Sequence, residues 1–158
     1  MYKDNFSPRL REWMRALDAL PDVLGKETLE WVDSNFVRQG WQGARFEPWA
    51  NKRPKRGKRN KVLIDRNRLR SSGQAVRMGA RSIRVTYGNS IVTYARVHNE
   101  GLTVTQRVPA HQRRGRSGRK HAVVAHSRTV SYPRNQFVGD SPHLRAHLYK
   151  VIREELRL

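Results

Sequence analysis

The sequence predicts an α+β domain, on three observations: helical periodicity at both ends, alternating β-branched stretches between them, and no internal repeat. At 158 residues the chain has the size of one domain. Residues 1–158 are therefore read as a single unit carrying a basic loop at 51–61 and an extended basic arm at 102–132. Apolar residues make up only 37%, so part of the chain is expected to lie outside the core and to need a partner for its order.

The elements follow in order. Ser7 is a suitable cap and Pro8 a suitable first residue for a helix over 8–19, with Leu10, Trp13, Met14 and Leu17 on the face expected to enter the core. Pro21 is expected to interrupt, and Asp22 to cap a second helix running to Arg38, with Leu29, Val32 and Phe36 inward and Gly40 ending it. Residues 41–61 read as an extended loop anchored by Trp41, Phe46 and Trp49. The run Val62-Leu63-Ile64 leads to Asp65 as a helix cap, with Leu69 inward from a short helix ending at Gly73. Residues 74–80 and 82–88 alternate as strands around a Gly79-Ala80-Arg81 turn. Gly88-Asn89-Ser90 turns the chain again, Ile91 to Asn99 fits strand or helix, and Gly101 closes that piece. Strand-like residues at 102–105 and 122–125 flank a basic Gly/Ser tip, predicting a long β-arm with a mobile cationic end. Ser141 caps and Pro142 opens a last helix striped with Leu144, Leu148, Ile152 and Leu156.

Charge is segregated along the chain. Lys and Arg number 33 against 13 Asp and Glu. Residues 1–50 carry 7 basic and 8 acidic groups, whereas residues 66–139 carry 15 basic groups and one acid, Glu100. Two clusters stand out: Lys52, Arg53, Lys55, Arg56, Lys58, Arg59 and Lys61, then Arg113, Arg114, Arg116, Arg119 and Lys120. Such density repels itself and is best tolerated beside a polyanion or an acidic protein surface. Both clusters are therefore the expected contacts to DNA or to an acidic partner.

Little points to catalysis. Metal-dependent cleavage of nucleic acid needs clustered carboxylates or histidines, and the basic region holds one acid. His98-Asn99-Glu100 superficially resembles a nuclease motif, yet zinc cysteines are missing, for the chain has no Cys. His111, His121 and His126 fall in the arm, and His143 and His147 sit at i, i+4 without a third ligand. Helix capping and polar helix positions account for Asp65, Ser71 and Ser72, and no phosphate-binding G-x-x-x-x-G-K-[ST] loop occurs. No catalytic residue, metal site or cofactor is expected. Residues 1–11 hold no apolar signal region, and no apolar run approaches the ~18 residues of a membrane span. Composition alone equally fits a free, sequence-independent nucleic-acid-binding protein.

The order of several short motifs narrows the choice. Phe36 and Gly40 precede Trp49. Leu63-Ile64-Asp65-Arg66-Asn67-Arg68-Leu69 follows, with Ser71 and Ser72. Then come Val85 and Gly88, Tyr94-Ala95-Arg96-Val97-His98-Asn99-Glu100-Gly101, and Pro133-Arg134-Asn135-Gln136-Phe137-Val138-Gly139-Asp140-Ser141. Over residues 30–158 this resembles the phage virion morphogenesis family, also called tail completion proteins. Asn67 stands where the family carries Gly, and Asn also tolerates positive φ. The basic runs are richer than the family pattern.

The resemblance implies a non-enzymatic virion protein of the phage neck, assembled in the host cytoplasm. It implies a homo-oligomeric ring, expected to be a hexamer, that joins the tail to the DNA-filled head. Its partners would be a portal or head-completion adaptor, tail tube or tail terminator proteins and the packaged DNA backbone, with no membrane. Trp49, Asp65, Leu69, Gly88, Tyr94, His98, Gly101, Arg134, Phe137 and Gly139 would then hold the architecture.

Overall fold

The computed structural model describes residues 8–50 and 61–157. Helix α1 (Pro8–Arg38) runs unbroken for 31 residues with Pro21 in its interior, where the sequence reading expects two helices. A proline there lacks a donor and crowds the preceding turn, at about 3 kcal/mol. Two features offset this. Residues 8–20 are rich in Leu, Arg, Ala, Met and Glu, all strong helix formers. The guanidinium of Arg77 also grips Asp18 (2.9 Å) and Asp22 (3.1 Å), one turn apart on either side of the proline. Asp22 thus staples the helix instead of capping a new one. The proposed Ser7 cap lies outside the described residues.

The helix ends at Arg38, as expected, but Gln39 and not Gly40 takes the left-handed conformation that follows it. Gln39 adopts φ 59°, and its side-chain amide donates to the carbonyls of Phe36 (2.7 Å) and Val62 (3.2 Å), which fixes that conformation. Gly40 instead opens β1 (Gly40–Gln42), paired antiparallel with β2 (Phe46–Pro48). The stretch expected as loop therefore begins as a hairpin. It buries Trp41 and Trp49 but leaves Phe46 half exposed.

Asp65 caps nothing. Residues 61–69 form bends and turns, with Asn67 at φ 57°, and lead into a single 3-10 turn, Arg70–Ser72. Leu69 is buried there. Strands β3 (Gln74–Gly79) and β4 (Ser82–Thr86) pair antiparallel and lie against α1, where Gly25 meets Ile83 and Ala75. The 91–99 segment resolves into an Asn89 turn, whose side chain accepts from the Ile91 and Val92 amides, and helix α2 (Ala95–Glu100), which ends on Gly101.

Residues 103–131 form two nested antiparallel ladders: β5 (Thr103–Val108) with β8 (His126–Ser131), then β6 (His111–Arg114) with β7 (Lys120–Val123). No other element among the described residues packs extensively on either. Helix α3 (Pro142–Glu155) starts as expected, with the Ser141 hydroxyl accepting from the amides of His143 and Leu144. It packs along α1, burying Leu144, Val151 and Leu156.

The core is aromatic. Phe36 lies 5.4 Å from both Trp49 and Phe137, ring centre to ring centre, and Trp31 meets Trp41 edge to face at 5.3 Å. The expected inward stripe of Leu10, Trp13, Met14 and Leu17 is instead 39–56% exposed. Trp13 touches the end of α3 through one hydrogen bond to the Leu156 carbonyl (3.0 Å). The stripe is thus only about half covered by the described residues: periodicity describes the face, and its burial falls short of a core.

Gly25 permits the close approach of α1 to β3–β4: an added Cβ would lie 2.4 Å from Ile83 Cδ1 and 3.0 Å from the Ala75 Cβ. Gly25→Val is expected to destabilise the fold by about 1–3 kcal/mol through overpacking, read from the denaturation midpoint.

Candidate nucleic-acid and assembly interface

The segment 133–141 is a strap across the core, fastened by buried amides. Asn35, fully buried, donates to the Phe137 carbonyl (3.1 Å) and accepts from the Gln42 side chain (2.9 Å). Asn99 accepts from the amides of Phe137 (3.0 Å) and Val138 (3.1 Å). Asn135 accepts from the Ala50 amide (3.0 Å), and the Trp49 indole donates to the Gln136 carbonyl (2.7 Å). Phe137 is thereby held fully buried. Gly101 presses against the start of the strap, where a Cβ would lie 2.7 Å from the Arg134 nitrogen. The sequence reading finds Trp49, Gly101 and Phe137 but misses Asn35, Gln42, Asn99 and Asn135, because polar residues give no periodic signal.

The other expected positions differ in role. Gly88 turns the chain at φ 98°, its amide donating to Ser72 Oγ (3.0 Å), while that hydroxyl donates to the Leu69 carbonyl (2.7 Å). His98 stacks edge-on between Tyr94 (5.8 Å) and Tyr132 (5.1 Å). Tyr94 is 39% exposed and packs on His98 from outside the buried core. Arg134 is exposed and bonds to the Gln136 side chain, and Gly139 adopts φ 150°.

Four of the histidines have polar partners within the described residues. His111 and His126 contact the carbonyls of Pro109 and Val124 (2.9 Å each). His143 accepts from the Trp31 indole (3.0 Å), and His147 meets Glu27 at 2.9 Å. Among the described residues no group of three or more potential ligands converges on a metal position, and no helix is long and apolar enough to cross a membrane.

Carboxylates are engaged close to home. Glu12 pairs with Arg157 (3.2 Å), Asp18 and Asp22 with Arg77, Glu27 with His147, Glu30 with Lys26 (3.8 Å), and Asp33 with Arg70. Glu100 pairs with Arg96 (3.1 Å). The Asp33 hydrogen bond raises the Arg70 pKa above its already high value. Beside this pair, burial first and the Asp33 charge second push the Tyr87 phenol up to about 12.

The cationic tip stands apart from these pairs. Arg113, Arg114, Arg116, Arg119 and Lys120 are all exposed, and among the described residues none forms an ion pair. Lys61 is exposed as well. Lys52, Arg53, Lys55, Arg56, Lys58 and Arg59 lie outside the described residues.

Among the described residues, the two ladders carry no extensive packing from other elements and rise from a strapped aromatic core, an arrangement that suits a protein of the assembly class. The chain belongs to the phage virion morphogenesis family, whose sequence model matches residues 3–157. Its role is accordingly in the structure and assembly of the phage virion. No curated relative and no solved structure matches the chain.

Two outcomes test the core of this description. Asn35→Leu leaves the Phe137 carbonyl and the Gln42 amide without their buried partner and is expected to cost about 2–4 kcal/mol in a denaturant melt. For Tyr87, ultraviolet titration is expected to show a phenolate step near pH 12 that Tyr87→Phe removes. Its folded pKa lies above the ordinary value of 10, so its contribution to stability is full below pH 10 and is lost as pH rises toward 12.

Proposed function

We propose that this chain is a subunit of the phage neck, forming a homo-oligomeric ring, expected to be a hexamer, that joins the tail to the DNA-filled head. It acts as a structural part, without catalysis or cofactor. Its neighbours are a portal or head-completion adaptor on one side and tail tube or terminator proteins on the other, with the packaged DNA backbone nearby.

The observation that carries this reading is the pair of nested ladders at 103–131, on which no other described element packs extensively. A two-stranded ribbon is marginal in water by itself and gains stability by lying on a neighbour. The half-exposed Trp13, Met14 and Leu17 of α1 add a second apolar face that the described residues cover only in part. Two different such faces on one subunit suit head-to-tail contacts, which close into rings when the rotation permits. The family's role in virion building supports the same reading.

Removing residues 103–131 is expected to leave a soluble, cooperatively melting body while abolishing the joining of tails to filled heads in an assembly assay. Normal joining by the deleted protein would refute the reading. Sizing and electron microscopy of the intact chain separate the ring from a free nucleic-acid-binding monomer.

A further inference from the structure

The β6–β7 hairpin is tightly closed and does not end in an open loop. The Gly115 amide donates to the Arg119 carbonyl (2.8 Å) and the Gly118 amide to the Gly115 carbonyl (3.0 Å). The turn Arg116-Ser117-Gly118 therefore has three residues, with Gly118 at φ 80° in the left-handed position that such a turn requires. Within this frame Arg113 faces His121, and Arg114 faces Lys120, as direct cross-strand partners.

That register is unfavourable in isolation. Like charges directly opposite destabilise a ladder, and no carboxylate among the described residues approaches to relieve the Arg114–Lys120 pair. The hairpin therefore holds five cations, counting Arg113, Arg116 and Arg119, on a frame whose pairing pushes two of them together. An anion lying between them would turn that repulsion into attraction.

We propose that the β6–β7 hairpin is a binding site for the sugar–phosphate backbone of duplex DNA, with Arg114 and Lys120 straddling phosphate groups and Arg113, Arg116 and Arg119 reaching those alongside. This deepens the neck reading, on which it rests, by assigning the DNA contact to one hairpin. Dimensions and charge density favour a duplex over an acidic protein. A two-stranded ribbon fits the major groove of the duplex. Strands of four residues extend about 14 Å at ~3.4 Å per residue, and that length of duplex carries about eight phosphates. Contacts from these cations to phosphate fix position on the duplex and carry no sequence information. Binding is accordingly expected to be independent of sequence.

The test is fluorescence anisotropy with a labelled mixed-sequence duplex of about two helical turns (roughly 21 base pairs). It compares the full chain, the double variant Arg114→Gln/Lys120→Gln, and a control that loses two cations on α3, Arg145→Gln/Arg153→Gln. Relief of like-charge repulsion keeps the hairpin variant folded, with an unchanged or higher melting temperature. At about 50 mM salt it is expected to bind at least about tenfold more weakly, and the slope of log affinity against log salt to fall by about two, at ~0.9 per phosphate contact. The α3 control is expected to behave as wild type. Equal losses in both variants, or none in the hairpin variant, would overturn the proposal. So would polyglutamate binding the full chain as tightly as DNA and suffering the same loss. Ring formation, measured on the same samples by electron microscopy, is a separate readout: intact rings with unaltered DNA binding in the hairpin variant sink this site alone, whereas its absence in every sample sinks the neck reading.

Discussion

The separation of charge along the chain constrains everything else in this structure. Every carboxylate of α1 has a basic side chain as partner in its own molecule, and several of these pairs tie the helix to β3, to α3 and to the turn at Arg70. Glu100, the one acid of residues 66–139, is likewise taken by Arg96. The acids thus contribute to the body of the fold and leave the cations of the nested ladders unmatched. Each exposed ion pair is individually weak, and among the described residues none reaches the dense cationic cluster at 113–120.

The body gives that potential a fixed base. Asn35, Asn99 and Asn135 hold the 133–141 strap through backbone groups that would otherwise be buried without partners, and the strap holds Phe137 against Phe36 and Tyr87. The same strap follows the end of β8 and precedes the Ser141 cap of α3. The Asn135 amide donates to the His98 carbonyl (2.9 Å), and the Tyr132 amide to that of Leu102 (3.1 Å). The root of the ladders is therefore tied to the core, while among the described residues no other element packs extensively on them.

Much of this was legible in the residues. The β3–β4 alternation, the Ser141-Pro142 start of α3, the Gly101 end of α2 and the burial of Trp49, Leu69 and Phe137 follow from local chemistry. The failures have physical causes. Pro21 reads as a break because local rules do not see the Arg77 staple, whose partners are 55 and 59 positions away. Gly40 reads as the helix end because glycine favours the left-handed conformation, yet Gln39 is held there by tertiary hydrogen bonds. Leu10, Trp13, Met14 and Leu17 read as core because periodicity reports a face and not what covers it. The buried amides were invisible for the same reason, since their partners are backbone groups remote in sequence. The cationic clusters were plain in the composition, but the opposition of Arg114 and Lys120 needed the strand register.

The most direct measurement is a density map of the intact phage particle at side-chain detail. The account predicts this chain as a ring at the junction of head and tail, with residues 113–120 of each subunit lying against DNA. Those residues folded onto an acidic surface of their own subunit would contradict it, because the positive charge of the ladders would then have no need of anything outside the molecule.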